Sequence, residues 1–317
     1  MLSDFFANDI RYGGTQFIAY GSTGSGKTLL MHEFMRYEFD RGTLIIGKMS
    51  DIDTVLNIDR PINIITNGDY EFTVKSIKDL STFKINLSEY NIKHSVVDSP
   101  ENIIENLDHN RINLLMLEGL QQNSSIRNRA YPNTIYYTLF LYFLIHSNIN
   151  KWTSIYLDEL QEVYMLNPFS GNQYWTQHYF THRILNHLRK SNINLRMATH
   201  TPFSTDYSLQ NLIPNKIYLY GSDEYAGYKH IPKGYILVKN SMQYKYYRIP
   251  NLSQYVPKYV IISNPVDAKF EPELNERYCE ILNIERYIEC SECSNTYESR
   301  LKKCPKCGNK NNEVIIR

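Results

Sequence analysis

The run Gly21-Ser22-Thr23-Gly24-Ser25-Gly26-Lys27-Thr28 fills every fixed position of the phosphate-binding pattern G-x-x-x-x-G-K-[ST]. Gly21, Gly24 and Gly26 let the backbone curl so that successive N–H groups converge on phosphate oxygens. A helix beginning there adds the positive end of its dipole. In such a loop the lysine, Lys27, reaches the β- and γ-phosphates of ATP, and the Thr28 hydroxyl ligates Mg²⁺. Downstream, Asp158 and Glu159 close the run Ser154-Ile155-Tyr156-Leu157. Neighbouring side chains at a strand end diverge, so Asp158 can hold Mg²⁺ through water while Glu159 acts as general base on the attacking water. Glu162 reads as a solvated helix residue and a reserve for that base.

Two further groups carry chemistry. Thr199 and His200 end the run Ile193-Asn194-Leu195-Arg196-Met197-Ala198. At the ligand edge of a parallel sheet, a polar side chain can contact the γ-phosphate or the lytic water. Arg189, just upstream, fits either that site or a solvated helix end favoured by the dipole. Near the C-terminus, Cys290-Ser291-Glu292-Cys293 and Cys304-Pro305-Lys306-Cys307 form two C-x₂-C knuckles separated by ten residues. Four thiolates so spaced suit a closed, tetrahedral structural Zn²⁺ site, and a segment this short needs the metal to fold. A pair of disulfides is the alternative, suited to an oxidising compartment. Cys279 is left over as a structural thiol.

These residues need elements to position them. Phe17-Ile18-Ala19-Tyr20 reads as a strand entering the loop, with a helix over Leu29–Arg36 leaving it. Strands are expected at Thr43–Ile46, Ile112–Leu117, Thr153–Leu157, Ile193–Ala198 and Lys216–Tyr220. Helices are expected from Ser99-Pro100 to about His109, from Pro132 to His146, and from Tyr174 to Lys190. Strands alternating with helices imply an α/β fold with a mostly parallel sheet covered on both faces. Pro61–Ile65 and Tyr70–Val74 read as short strands around the hairpin-type turn Asn67-Gly68. That places an insertion or edge decoration at 50–98 inside an ATPase domain at 1–250. A linker or helical segment at 251–284 and a zinc ribbon at 285–317 would follow.

In order along the chain, the phosphate loop, Ile112–Leu120, Leu157-Asp158-Glu159, Arg189–Pro202 and Ile231-Pro232-Lys233-Gly234–Val238 resemble the HerA/FtsK superfamily of DNA-pumping ATPases. The likeness spans about residues 15 to 250. It implies a RecA-like P-loop NTPase fold, ATP hydrolysis, double-stranded DNA as the partner, and a homo-oligomeric ring, commonly a hexamer. It also implies an arginine from a neighbouring subunit at each site, for which Arg189 and Arg183 are the candidates. The segment Leu166–Gln173 is a candidate pore loop. His200 stands where the family usually has Gln. The second strand lacks the aspartate many relatives carry just after it, unless Asp51 substitutes.

Bulk properties are compatible with this. A net charge of +1 excludes a uniformly basic protein but not a local basic path. The apolar run Leu139–Ile145 is far too short for a membrane span, and Met1–Ala7 has no signal-peptide pattern. The expectation is a cytoplasmic protein, in the host cytoplasm and transiently at the capsid if it is viral. The compact size favours a viral or mobile-element packaging ATPase, with a capsid portal or nuclease as further partner. A conjugation or repair translocase, a nucleotide switch or export ATPase, and a zinc-ribbon adaptor with a vestigial nucleotide site remain open.

Overall fold

The computed structural model describes residues 15–48, 54–78, 81–84, 86–117, 126–147, 149, 151–164, 176–205, 207–227, 229–240, 243–249, 259–267, 276–282, 286–290, 292–293, 296–298, 303–308 and 312–316. In chain order the first strands are β1 (Gln16–Tyr20), β2 (Leu44–Lys48), β3 (Ile62–Thr66), β4 (Asp69–Ser76), β5 (Thr82–Lys84) and β6 (Ile92–Val96). Then come β7 (Ile112–Met116), β8 (Thr153–Leu157), β9 (Ile193–Thr199), β10 (Asn215–Tyr218), β11 (Tyr235–Asn240) and β12 (Gln243–Arg248). The last are β13 (Tyr259–Asp267), β14 (Arg286–Cys290), β15 (Thr296–Glu298) and β16 (Asn312–Ile316). The helices are α1 (Lys27–Phe39), α2 (Pro100–Glu105), α3 (Ile126–His146), α4 (Leu185–Lys190), α5 (Tyr207–Leu212) and α6 (Glu276–Leu282).

Ten strands make one sheet in the order β12-β11-β10-β1-β9-β8-β2-β7-β3-β6. From β10 to β6 every pairing is parallel; β11 and β12 add an antiparallel edge. Strands β1, β2, β3, β7, β8 and β9 are buried at every residue, as a parallel sheet with both faces covered requires. Leu30, Met31, Phe34 and Met35 of α1 pack in the core on one face. Tyr136, Phe140, Leu141 and Leu144 of α3, with Leu185 and Leu188 of α4, fill the other. The fold is therefore α/β with a mostly parallel sheet between helices.

A buried ion pair fastens the loop-bearing helix beneath the sheet. Arg196 of β9 is fully buried and donates to Glu38 of α1 at 2.8 Å, and the Tyr156 hydroxyl of β8 donates to the same carboxylate at 2.5 Å. Arg196 also donates to the Thr15 carbonyl at 2.8 Å, so both terminal nitrogens of the guanidinium are paired, while its Nε has no hydrogen-bond partner among the described residues.

Several boundaries differ from the sequence expectation. Asn67-Gly68 does not close a hairpin. Strand β3 is apolar on both faces and joins the main sheet between β7 and β6. Strand β4 alternates exposed and buried residues and pairs with β5 and β13 in a separate three-stranded sheet. The turn thus hands the chain from one sheet to another. Tyr70, Phe72 and Val74 of β4 and Ile261 of β13 cover the core on the α1 side. Helix α3 starts at Ile126, upstream of Pro132, and α2 ends at Glu105, short of His109. The N-cap of α2 is as expected: the Ser99 hydroxyl accepts from Asn102 N at 3.3 Å with Pro100 in the first turn. A π-helical turn at Phe180–Ile184 leads into α4. In the 251–284 region, β13 pairs with β4, and Tyr278, Cys279 and Leu282 of α6 pack on Ile135 and Leu139 of α3. Strands β15, β14 and β16 form a small antiparallel sheet near the C-terminus.

Candidate nucleotide site

Strand β1 ends at Tyr20 and α1 begins at Lys27, so Gly21–Gly26 must reverse direction in a few residues. Gly24 and Gly26 do so at φ 76° and 92°, in the left-handed region where a side chain is strained. The loop therefore wraps over the N-terminus of a thirteen-residue helix, the anion-attracting arrangement anticipated from the pattern. Lys27 Nζ donates to Gly21 O at 2.8 Å and Ser22 O at 3.4 Å, and lies 3.1 Å from His200 Nδ1. Burial lowers the Lys27 pKa, opposed by the nearby charges of Glu159 and Asp158.

The parallel order places β1, β9 and β8 side by side, so their C-terminal ends share one edge. Thr28 Oγ1 donates to Asp158 Oδ2 at 2.9 Å. These are the hard oxygen donors Mg²⁺ favours: the Thr28 hydroxyl can ligate the ion directly and the Asp158 carboxylate can hold it through water. The other Asp158 oxygen accepts from Glu159 N at 3.0 Å, which fixes the carboxylate.

Glu159 itself stands at φ 49°, ψ 56°, a left-handed conformation rarely taken by glutamate. Such a conformation costs on the order of 1–3 kcal/mol and persists only where the surrounding contacts hold it. Its carboxylate lies 3.0 Å from His200 Nε2 and accepts from Gln161 Nε2. A lysine ammonium only donates, so His200 Nδ1 accepts from Lys27 and the ring proton sits on Nε2, facing Glu159. Gln161 in turn accepts from Thr199 Oγ1 at 2.7 Å. Lys27, His200, Glu159, Gln161 and Thr199 thus form one connected chain across the strand ends.

Glu162 is not the solvated residue expected. It pairs at 2.5 Å with Lys48, the last residue of β2, whose Nζ also reaches the Asp158 carbonyl at 3.3 Å. Lys48 escaped sequence reasoning because nothing in Leu44–Lys48 signals that a lysine in an apolar run lies beside Asp158. Gln161 was missed for the same reason. The loop after β10 was missed too. Strand β10 runs parallel to β1 with Tyr218 opposite Tyr20, so both chains leave the sheet at one edge. A Cβ on Gly221, where φ is 81°, would fall 2.7 Å from Ser22 Oγ, which measures how tightly this loop presses on the phosphate loop. Tyr220 stands beside it, 43% exposed, with Lys233 Nζ 5.3 Å from its ring centre.

Of the remaining candidates, the backbone of Arg189 lies in α4, but its side chain falls outside the described residues. Arg183 is on the exposed side of the π-helical turn. Leu166–Gln173, Asp51 and 118–120 also fall outside the described residues. At the C-terminus the Sγ atoms of Cys293, Cys304 and Cys307 lie within 4.8 Å of one another. The Cys293–Cys304 separation is 3.7 Å, too long for a disulfide. It matches the roughly 3.8 Å edge of a tetrahedron built on ~2.3 Å Zn–S bonds. Burial works against ionisation of Cys304, yet N–H groups of Cys307 and Lys306 aimed at its sulfur bring its pKa down to about 6. Cys290 ends β14, and its side chain is outside the described residues.

No protein-family model matches the chain, and no curated protein matches it significantly. Solved structures do resemble it. B204, the DNA-packaging ATPase of Sulfolobus turreted icosahedral virus, aligns at 12% identity over 75% of this chain and 99% of its own, with a TM-score of 0.45. VirB4 of Thermoanaerobacter pseudethanolicus aligns at 12% identity over 78% of this chain and 92% of its own, with a TM-score of 0.49. The N-terminal domain of zonular occludens toxin from Neisseria meningitidis aligns at 14% identity over 84% and 98%, with a TM-score of 0.31.

Proposed function

We propose that this chain is an ATP-hydrolysing motor of the HerA/FtsK type that moves double-stranded DNA, serving genome packaging in a virus or mobile element. The observation that carries the reading is the convergence, at one sheet edge, of the glycine loop and Lys27, the Thr28–Asp158 pair, and Glu159 with His200. Loop N–H groups and Lys27 hold the ATP phosphates, and the base lies toward Tyr220. Mg²⁺, when bound on Thr28 and Asp158, neutralises charge on the β- and γ-phosphate oxygens. Glu159 orients the attacking water and accepts its proton. His200, donating from Nε2, and Gln161 keep that carboxylate aimed. His200 so placed takes the position of the family's Gln.

The active form in this reading is a homo-oligomeric ring, a hexamer as is common in the family it resembles, working in the cytoplasm and at the capsid. Arg183 or Arg189 of a neighbouring copy completes each site, and such a finger accelerates phosphoryl transfer roughly 10³-fold or more. Cys290, Cys293, Cys304 and Cys307 hold a structural Zn²⁺. The reading is tested by measuring ATP hydrolysis with and without duplex DNA. Hydrolysis should rise with DNA and fall by ~100-fold or more in Glu159→Gln, with nucleotide binding retained. Hydrolysis indifferent to DNA would overturn the motor in favour of a nucleotide switch.

A further inference from the structure

The whole chain is nearly balanced, with 34 basic and 33 acidic residues, yet residues 225–266 contain no Asp or Glu. That stretch holds Lys229, Lys233, Lys239, Lys245, Arg248 and Lys258. Much of it is the antiparallel edge β11–β12, and the register shows where the charges go. Lys216 of β10 lies opposite Lys239, which lies opposite Tyr244; Leu237 faces Tyr246, and Tyr235 faces Arg248. Side chains alternate along a strand, so Lys216, Lys239 and Arg248 share one face with Tyr235, Tyr244 and Tyr246. Lys229 reaches over this face from the preceding loop, its Nζ 4.8 Å from the Tyr244 ring centre, with Lys239 Nζ at 5.4 Å.

Two cations directly opposite across strands repel each other. Burial, and then the charge of Lys239, both lower the Lys216 pKa. Among the described residues no carboxylate pairs with Lys216, Lys229, Lys239 or Arg248. The two acids of the preceding loop are engaged elsewhere: Asp223 accepts from Ile231 N and faces His230, and Glu224 is hydrogen-bonded to Tyr225. Lysines on an edge strand commonly serve to block edge-to-edge aggregation. That explains Lys245 on β12 but not Lys216 and Lys239, which lie on strands paired on both sides. Tyr235 and Tyr246 are 37% and 48% exposed beside the cations, and tyrosine hydroxyls, like lysine and arginine, donate to the phosphate oxygens of a duplex backbone.

Tyr218 and Leu237 on the same face are buried in the core. We therefore infer that its solvent-exposed outer part, carrying Lys239, Arg248, Tyr235 and Tyr246 with Lys229 above it, is the surface on which the protein grips the phosphates of nucleic acid. The inference rests on the DNA-motor reading and names where the cargo is held. The test is binding of a labelled duplex of about 30 base pairs, followed by fluorescence anisotropy across a salt series. It compares the full chain with Lys229→Gln/Lys239→Gln/Arg248→Gln and with the wholly surface pair Lys229→Gln/Arg248→Gln.

Each lost phosphate contact should flatten the log–log salt slope by about 0.9, so the triple variant should lose roughly 2 to 3 in slope and at least about tenfold in affinity near 0.1 M salt. DNA-free ATP hydrolysis should be unchanged, and stimulation by DNA should fall. Wild-type affinity and slope in both variants would overturn the inference and leave the motor reading standing. A wild-type protein that binds no duplex would overturn both. Variants that lose binding to anionic vesicles but keep DNA binding would assign the surface to membrane and overturn the inference.

Discussion

At the scale of single residues the site is a set of short, mutually dependent contacts. His200 is intelligible only because Lys27 and Glu159 occupy its two nitrogens, and Glu159 holds a left-handed backbone that a glutamate rarely adopts. Tyr220 belongs to the same surface, since Gly221 brings its loop onto Ser22. Replacing Tyr220 with Ala should raise the KM for ATP about 5- to 30-fold, the equivalent of roughly 1–2 kcal/mol of lost stacking, with kcat little changed; steady-state kinetics check it. A second residue effect concerns stability. His32 of α1 is buried with neither ring nitrogen hydrogen-bonded, and burial pushes its pKa from 6.5 down to about 4. Between those values the unfolded chain binds a proton that the folded chain refuses. Stability from this residue is therefore full above about pH 6.5 and declines as pH falls toward 4, by an amount on the order of 3 kcal/mol. His32→Leu should abolish that part of the acid sensitivity, seen as a smaller drop in urea midpoint between pH 7 and pH 4.5.

At the scale of elements, the groups of the candidate site come from the ends of β1, β8 and β9, and their spacing follows from parallel neighbours in register. The Glu38–Arg196–Tyr156 network ties α1 to β8 and β9, the strands that lead to Asp158 and His200. The C-terminal sheet of β14, β15 and β16 has a different basis. Cys293, Cys304 and Cys307 gather beside it at spacings suited to Zn²⁺. If the metal supplies much of its folding energy, a strong chelator should release about one Zn²⁺ per chain. Amide exchange should then accelerate in 286–316 while the ten-stranded sheet stays protected. Loss of protection throughout the molecule would contradict an independent ribbon.

At the scale of the whole molecule, function in the proposed reading belongs to an assembly. The site within one copy contains Lys27, Asp158 and Glu159 together, yet Arg183 lies exposed on the turn before α4, available to a neighbour. If each site is completed across a ring joint and the subunits fire in coordination, inactive copies should poison active ones. Mixing Glu159→Gln protein into wild type should depress DNA-stimulated hydrolysis more steeply than dilution. With about half the subunits inactive, a coordinated ring should retain well under half the activity, whereas independent sites should retain about half.

The sequence by itself determined the phosphate loop, the Asp158–Glu159 strand end, the thiol spacing and the alternation that makes a parallel sheet. Each is a local pattern in which residue type and spacing state the chemistry directly: glycines for left-handed turns, fully apolar runs for strands buried on both faces. It did not determine that Asn67-Gly68 leads out of one sheet into another, because a turn dipeptide is the same whichever partner the next strand finds. Nor did it reveal Lys48 under Asp158, Gln161 between Glu159 and Thr199, or Tyr220 against the phosphate loop. Strand order alone decided those meetings, placing β2 beside β8 and β10 beside β1. The basic face of β10 to β12 is of the same kind. All its charges but Lys216 fall in the acid-free stretch 225–266, yet only the antiparallel register brings Lys216, Lys239 and Arg248 to one side. Local backbone preferences act over a few residues and can be read along the chain; contacts between strands far apart in sequence exist only after the whole apolar core has fixed which strands are neighbours.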